Sequence, residues 1–243
     1  MPARTRTYFV SDVHLGLQAF DPEDRERRFV AFLHSINNPE TEALYMLGDI
    51  WDFWYEWKEV VPKGYIRVFA ALTALMDSGV KVYFFCGNHD IWAYSYFEEL
   101  GMIKLEQPAF VELGGKSLCI GHGDGLGKMD LGYRILNRGI FKCRFLQVLF
   151  SALVHPTLVM KLGHFWSRSN RMGHKGEYVW KGEDEALTAY CKDILRTRHV
   201  DLFIFGHYHV AVRQNLAPDS ELIVLDSWLC RDSVFCIGRE AQS

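Results

Sequence analysis

Five short segments of this chain combine histidine, aspartate and asparagine at close spacing. Each segment follows an apolar run that ends in a small residue. The residue types that could bind a metal in these segments are Asp12, His14, Asp49, Asn88, His122, His207 and His209. Carboxylate, imidazole and amide oxygen suit divalent metals that activate water. The six cysteines form no C-x-x-C pair, so the set does not resemble a zinc finger. These residue types predict hydrolysis assisted by divalent cations.

The apolar runs that precede the ligands are predicted to be strands, at 8–11, 43–48, 80–87, 117–121 and 202–206. Nearly continuous apolar strands indicate burial on both faces, so the ligands are expected to gather at one end of a sheet. In an extended backbone the i, i+2 spacing of Asp12 with His14, and of His207 with His209, places each pair on one side. A glycine before Asp49 and before three other candidate ligands is expected to allow a tight turn.

Helical periodicity at 24–34, 66–78 and 183–197 falls between strand candidates and predicts helices that cover the sheet. After residue 202 the pattern contains strands only, at 211–216, 222–225 and 234–237, which predicts a second, mixed or antiparallel sheet. The fold class is therefore α/β. With 243 residues, the chain is expected to form one domain over 1–243, with an insertion at about 126–178.

The ordered motifs D-x-H, G-D-x-x-D, G-N-H-D, G-H-G-D and G-H-x-H resemble those of the calcineurin-like metallophosphoesterase family and run from Asp12 to His209. The resemblance implies a two-sheet β-sandwich flanked by helices, in four αββα layers. It implies two divalent metals, most typically Mn²⁺, with iron or zinc as alternatives. One metal would be held by Asp12, His14, Asp49 and His209, and the other by Asp49, Asn88, His122 and His207.

The same resemblance implies that His89 stands beside the leaving group, with Asp90 available to hold its ring. Asp124 is expected, like Asp90, to orient ligand histidines. Asp52 is expected to brace Trp51 and its neighbours rather than to bind metal. The tryptophans at 51, 54 and 57 are spaced at three, which fits a helical stripe, a pocket wall or stacking on the substrate. A pocket wall near the site is favoured, because Trp51 directly follows Asp49 and Ile50.

Within this family the chain is most like the UDP-2,3-diacylglucosamine pyrophosphohydrolase branch of lipid A biosynthesis. The resemblance lies in S-D-V-H-L-G, in G-D-I-W-D-F-W, and in H-G-D followed by Asp130, Tyr133 and Arg134. It implies that metal-bound hydroxide cleaves UDP-2,3-diacylglucosamine to UMP and a lipid phosphate. Two departures leave a related glycolipid or phospholipid pyrophosphate open: His89 stands where the branch often has arginine, and Tyr208 with Val210 interrupts a G-H-T-H-R-P ending.

The insertion is basic as well as apolar, with nine lysines or arginines against two acids between 126 and 178. Such a segment suits acyl chains and anionic head groups, or the surface of a membrane. A helical hairpin that packs on the body or forms a dimer contact would give the same pattern. The substrate-binding candidates are Asp130, Tyr133, Arg134, Arg168, Asn170 and Lys175.

The net charge of −3 argues against a general nucleic-acid binder. No apolar stretch precedes the first strand, so no secretory signal is expected. We expect a cytoplasmic enzyme, peripheral on the inner face of the inner membrane, and the sequence leaves its oligomeric state open. A soluble metallophosphodiesterase or phosphatase of the same superfamily, and a non-catalytic scaffold on this fold, are the alternatives.

Overall fold

A computed structural model describes residues 4–127, 149, 153–173 and 178–238, apart from the side chains of 166 and 168–173. These residues form two five-stranded sheets. The first sheet has the order β10-β1-β2-β3-β4, and the second has the order β5-β6-β7-β9-β8. The strands are β1 (Arg6–Val10), β2 (Thr41–Met46), β3 (Lys81–Phe85), β4 (Ile103–Leu105), β5 (Ala109–Leu113), β6 (Lys116–Ile120), β7 (Leu202–Phe205), β8 (Val212–Ala217), β9 (Ser220–Val224) and β10 (Phe235–Gly238).

Parallel pairing brings the ends of the ligand-bearing strands together. In the first sheet β1, β2 and β3 are parallel, with Val10 opposite Met46 and Met46 opposite Phe84. In the second sheet β6 and β7 are parallel, with Ile120 opposite Ile204. The five loops that carry the candidate ligands therefore leave the two sheets at their carboxyl ends, as the sequence predicted.

Side chains alternate between two cores along each strand, as the strand repeat requires. Phe9, Tyr45 and Ile204 belong to the core between the sheets, where the rings of Phe9 and Tyr45 stack with centroids 5.1 Å apart. Val10 points the other way, into a core shared with the helices outside the first sheet. Phe203 does the same on the second sheet. The expected four-layer sandwich flanked by helices is confirmed.

The described helices are α1 (Pro22–Ser35), α2 (Ile66–Asp77), α3 (Tyr96–Glu99), α4 (Pro156–Gly173) and α5 (Ala186–Leu195). α1 begins where Asp21 accepts a hydrogen bond from the Asp24 amide and Pro22 occupies the first turn. The helix predicted at 183–197 starts later, because Gly182–Asp184 forms a 3₁₀ turn. Within the described residues, no helix has the length and hydropathy needed to cross a bilayer.

Two sequence-based expectations about packing were wrong. The strand at 234–237 is β10, which pairs antiparallel with β1 in the first sheet rather than joining the second. The tryptophan-rich segment is not helical, and Trp51 and Trp54 are fully buried in the core. Trp51 stacks on Phe97 with centroids 4.4 Å apart, so it supports the loop that carries Asp49 from behind.

Of the segment predicted to be an insertion, the structure describes chiefly α4. Val159, Gly163 and Ser167 are buried and are spaced by four residues, so one stripe of α4 faces the body. Val159 packs in an aromatic cluster with Phe53 and Tyr55, from the loop that follows β2. A different face of α4 is exposed and apolar, with Leu158 at 50%, Leu162 at 51% and Phe165 at 69% exposure.

Candidate metal centre

The loops after β1 and β2 are joined by backbone hydrogen bonds that set the positions of the first ligands. The Asp12 amide donates to the Gly48 carbonyl at 3.1 Å, and the His14 amide donates to the Asp49 carbonyl at 3.0 Å. Across the sandwich, the His207 amide donates to Asp12 Oδ2 at 2.8 Å. The carboxyl ends of both sheets are thus tied to one another at the site.

Five of the expected ligands have a left-handed backbone, and not the extended conformation expected from the i, i+2 spacing. Their φ values are 53° for Asp12, 51° for His14, 53° for Asp49, 75° for His207 and 53° for His209. Residues other than glycine rarely adopt this conformation, and those that do are concentrated at functional sites. The paired side chains still converge, but the turn after each strand brings them together.

One group of ligand atoms, here called the Asp12 cluster, comprises Asp12, His14 and His209. The Nε2 atoms of His14 and His209 lie 3.0 Å apart, and His209 Nε2 lies 3.2 Å from Asp12 Oδ1. The ligand atoms that these three residues offer all lie within 4.8 Å of one another, so they could hold one ion. The spacing within the Asp12 cluster therefore fits a single bound cation.

A second group, the Asp49 cluster, comprises Asp49, His122 and His207. His122 Nε2 lies 3.3 Å from Asp49 Oδ2. The other ring nitrogen of His122 lies 2.9 Å from the Leu47 carbonyl, which can only accept, so Nδ1 carries the proton and Nε2 offers its lone pair. Leu47 thus orients this ring. Asp124, which was expected to do so, accepts a hydrogen bond from Gln107 Nε2 at 2.6 Å.

Three buried polar atoms at the site make no hydrogen bond to any described residue: Asp12 Oδ1, Asn88 Oδ1 and His122 Nε2. Leaving a polar atom buried and unsatisfied is costly, unless a ligand satisfies it. The three atoms come from both expected ligand sets, and all are of types that bind divalent metals. The residues present therefore fit two cations. Asp49 also forms a ligand group with His14 and His89, so its carboxylate is close enough to the Asp12 cluster to be shared by both ions.

Residues 5–211 match the family described as calcineurin-like phosphoesterase. The chain belongs to the calcineurin-like phosphoesterase family. Among its relatives is the UDP-2,3-diacylglucosamine hydrolase of Porphyromonas gingivalis, 34% identical over 93% of this chain and 91% of that protein. The protein of the same name from Aeromonas salmonicida is 31% identical over 94% of this chain and 88% of that protein. The expectation of an enzyme, a metal-dependent phosphoesterase, is confirmed.

Close approach, more than turning, explains the glycines of this phosphoesterase that precede its ligands. Of the four, only Gly48 has a positive φ, at 91°. At Gly87 an added β-carbon would lie 2.2 Å from Asp49 Oδ1, and at Gly206 it would lie 2.4 Å from Asp12 Oδ2. Gly87 therefore leaves space for the Asp49 carboxylate, and Gly206 leaves space for the side chains of Ser11 and Asp12.

Electrostatics favours positive charge at the centre of the phosphoesterase. Burial alone would raise the pKa of the Asp12 carboxyl, but the imidazoles of its own cluster hold that pKa well below its usual range. Burial likewise opposes charge on His122, yet the nearby carboxylates, Asp49 first, raise its pKa well above the usual value. An environment that favours a proton on His122 also favours a metal cation in the proton's place.

Asp90 serves the backbone rather than the ring of His89. Its carboxylate accepts hydrogen bonds from the amides of Gly87 at 2.6 Å, Ile50 at 2.9 Å and Asp49 at 3.3 Å. Burial, and then the charge of Asp49, raise the pKa of Asp90 to about 7. Asp90 thus joins the loops after β2 and β3. Its hydrogen bonds are to backbone amides and not, as expected, to the ring of His89.

His89 is held by a different group. Its Nδ1 lies 2.7 Å from the Asp52 carbonyl oxygen, so Nδ1 donates and Nε2 turns toward the centre, 4.0 Å from Asp49 Oδ2. The ring packs edge-on against His14, with centroids 5.0 Å apart. An orientation fixed in this way is suited to proton transfer at Nε2.

The expected substrate-binding residues remain predictions. Asp130, Tyr133, Arg134 and Lys175 lie outside the described residues, and the side chains of Arg168 and Asn170, in α4, lie outside them as well.

Two residues near the centre were missed. His164 and Ser167 lie in α4, outside the five sequence motifs. Ser167 Oγ donates to Asp52 Oδ1 at 2.7 Å, and His164 Nδ1 lies 3.7 Å from Asp52 Oδ2. The available signal was the four-residue spacing of Val159, Gly163 and Ser167, which marks small or branched residues on one face of a helix.

Proposed function

We propose that this phosphoesterase hydrolyses the pyrophosphate of UDP-2,3-diacylglucosamine, releasing UMP and a lipid phosphate. The observation that carries the proposal is the position of α4, which packs beside the metal centre through one face and leaves Leu158, Leu162 and Phe165 exposed on another. A polar centre for the phosphates beside an apolar surface for acyl chains matches a nucleotide-linked glycolipid. The relatives that bear the name of this activity support the same substrate.

The metals proposed are two Mn²⁺ ions, with iron or zinc as alternatives. The Asp12 cluster would hold one ion, and the Asp49 cluster together with Asn88 would hold the other, with Asp49 shared. Bound divalent cations lower the pKa of coordinated water and neutralise phosphoryl oxygens. Imidazole, carboxylate and amide donors in one set are compatible with each of these metals.

His89 is proposed to act at the leaving group. Its Nδ1 proton is committed to the Asp52 carbonyl, so Nε2 is the atom available to the substrate. In the protonated state, Nε2 would donate to the oxygen that departs as the pyrophosphate bond breaks, or stabilise its developing charge. Arg168, Asn170 and Lys175, with Asp130, Tyr133 and Arg134, are proposed to contact the substrate.

The exposed face of α4 is also proposed to meet the membrane that supplies the lipid substrate. Its three large apolar side chains are spaced at four and three residues, so they form one stripe along the helix. The basic residues of the insertion would favour anionic lipid head groups. We therefore propose a peripheral enzyme at the inner face of the inner membrane.

The direct test is to incubate the purified chain with Mn²⁺ and UDP-2,3-diacylglucosamine in mixed micelles and to measure UMP. The expected result is UMP release that stops when EDTA is added. A triple change of Leu158, Leu162 and Phe165 to serine should raise KM for the lipid substrate while leaving turnover of a water-soluble aryl phosphodiester within about twofold. Hydrolysis of the aryl diester without any UMP release would refute the proposed substrate and favour a soluble phosphodiesterase.

A further inference from the structure

Asp52 lies between the metal centre and α4, and it contacts both. The residue is 1% exposed. Its Oδ1 accepts the Ser167 hydroxyl at 2.7 Å and lies 3.7 Å from His14 Nδ1. Its backbone carbonyl holds His89. One residue thus adjoins a candidate metal ligand, the proposed proton donor and the insertion helix.

The packing of α4 against the loop after β2 places Ser167 beside Asp52. Ser167 is buried on the same stripe as Val159 and Gly163. At Gly163 an added β-carbon would lie 2.4 Å from Phe53 Cγ, so α4 approaches the loop after β2 as closely as its backbone allows. Because Phe53 follows Asp52 in the chain, sliding α4 by one turn would break both contacts together.

We propose that Asp52 and Ser167 form a positioning pair that fixes α4 in register with the metal centre, so that substrate bound along α4 is aligned with the reacting phosphate. A buried hydrogen bond to a carboxylate is among the stronger ones in a protein. It is suited to hold α4 against the loop that follows β2. The inference depends on the proposed function only for the identity of the substrate that binds along α4.

A purely structural bond would give the same distances, so the test separates stability from alignment. Ser167→Ala removes the hydroxyl, and Thr157→Ala is the matched control because it removes an exposed hydroxyl from the same helix. For Ser167→Ala we expect KM for UDP-2,3-diacylglucosamine to rise about 10-fold, the equivalent of one lost hydrogen bond to a charged group. Turnover of a water-soluble aryl phosphodiester should stay within about twofold, since the metal ligands remain in place.

The pair also predicts non-additive effects. In an Asp52→Ala background the Ser167→Ala change should have no further effect on KM, because the partner has already been removed. Equal KM values for Ser167→Ala and Thr157→Ala would overturn the proposal, and so would additive effects of the two changes in the cycle.

Hydrogen exchange provides a readout that needs no substrate. If Asp52 connects α4 to the centre, loading the wild-type chain with Mn²⁺ should slow exchange of the amides of 159–167, and Ser167→Ala should abolish that slowing. Failure of the wild type to release UMP would refute the proposed substrate and leave this readout intact. Identical slowing by Mn²⁺ in the wild type and in Ser167→Ala would overturn the positioning pair.

Discussion

Gly87→Ala tests whether the proposed sharing of Asp49 between two ions depends on the space that a glycine provides. Gly87 has no positive φ, so alanine is compatible with its backbone. The added β-carbon, however, would lie 2.2 Å from Asp49 Oδ1 and 2.7 Å from the Asp49 amide nitrogen. Both contacts are shorter than 3.0 Å, so the carboxylate and the backbone of Asp49 must both move, the carboxylate by more.

The size of the effect follows from these distances. Contacts of a β-carbon below 3.0 Å are essentially never seen, so Asp49 Oδ1 must shift by about 1 Å. Metal–ligand distances tolerate only about 0.2 Å of error, and a reacting group misplaced by about 1 Å costs about 100-fold in rate. Overpacking of this kind destabilises the fold by about 1–3 kcal/mol, which a domain of this size tolerates.

The assay compares Gly87→Ala with Gly238→Ala, in which a β-carbon meets nothing within 4 Å. Manganese content by elemental analysis, kcat for an aryl phosphodiester and the melting temperature are measured for both variants. We expect Gly87→Ala to lose bound manganese and about 100-fold in kcat, while Gly238→Ala matches the wild type. The steric argument would be refuted if Gly87→Ala retained two ions per chain and full turnover.

Three further predictions follow. His89→Ala should lower kcat by about 100-fold or more with metal content unchanged, and full turnover would refute its role. Gly163→Ala should speed amide exchange in α4, because the added methyl group would collide with Phe53. Alanine in place of glycine normally stabilises a helix interior by about 1 kcal/mol, so the expected effect is opposite to that of helix propensity. Unchanged exchange would contradict the packing of Gly163 on Phe53. Removing metal with EDTA should lower the melting temperature and abolish hydrolysis, with both restored by Mn²⁺, since the folded state binds the ions; a melting temperature indifferent to EDTA would contradict a metal centre built from these residues.

The parts of the site that the sequence predicted are those that depend on local pattern. Apolar runs become buried strands, and parallel strands place the residues that follow them at one edge. This reasoning brought Asp12, Asp49 and His122 together although they are far apart in the chain. The family resemblance then divided the ligands into two sets. The Asp12 cluster falls within the first set and the Asp49 cluster within the second, while a third ligand group of His14, Asp49 and His89 joins residues of both.

The features that were not predicted depend on long-range geometry. The left-handed backbone at Asp12 could not be read from an i, i+2 spacing that an extended strand satisfies equally well. The pairing of β10 with β1 joins opposite ends of the chain, and local pattern carries no information about a strand's partner. The Asp52–Ser167 contact spans 115 residues of sequence, and only the packing of α4 on Phe53 makes it visible.

Two cations that share Asp49 are proposed to lie between the carboxyl ends of the two sheets. Anomalous diffraction from manganese-loaded crystals is the most direct test. We expect two peaks in one chain, one beside Asp12, His14 and His209 and the other beside Asn88, His122 and His207, with the Asp49 carboxylate between them. A single peak, or peaks remote from these side chains, would contradict it.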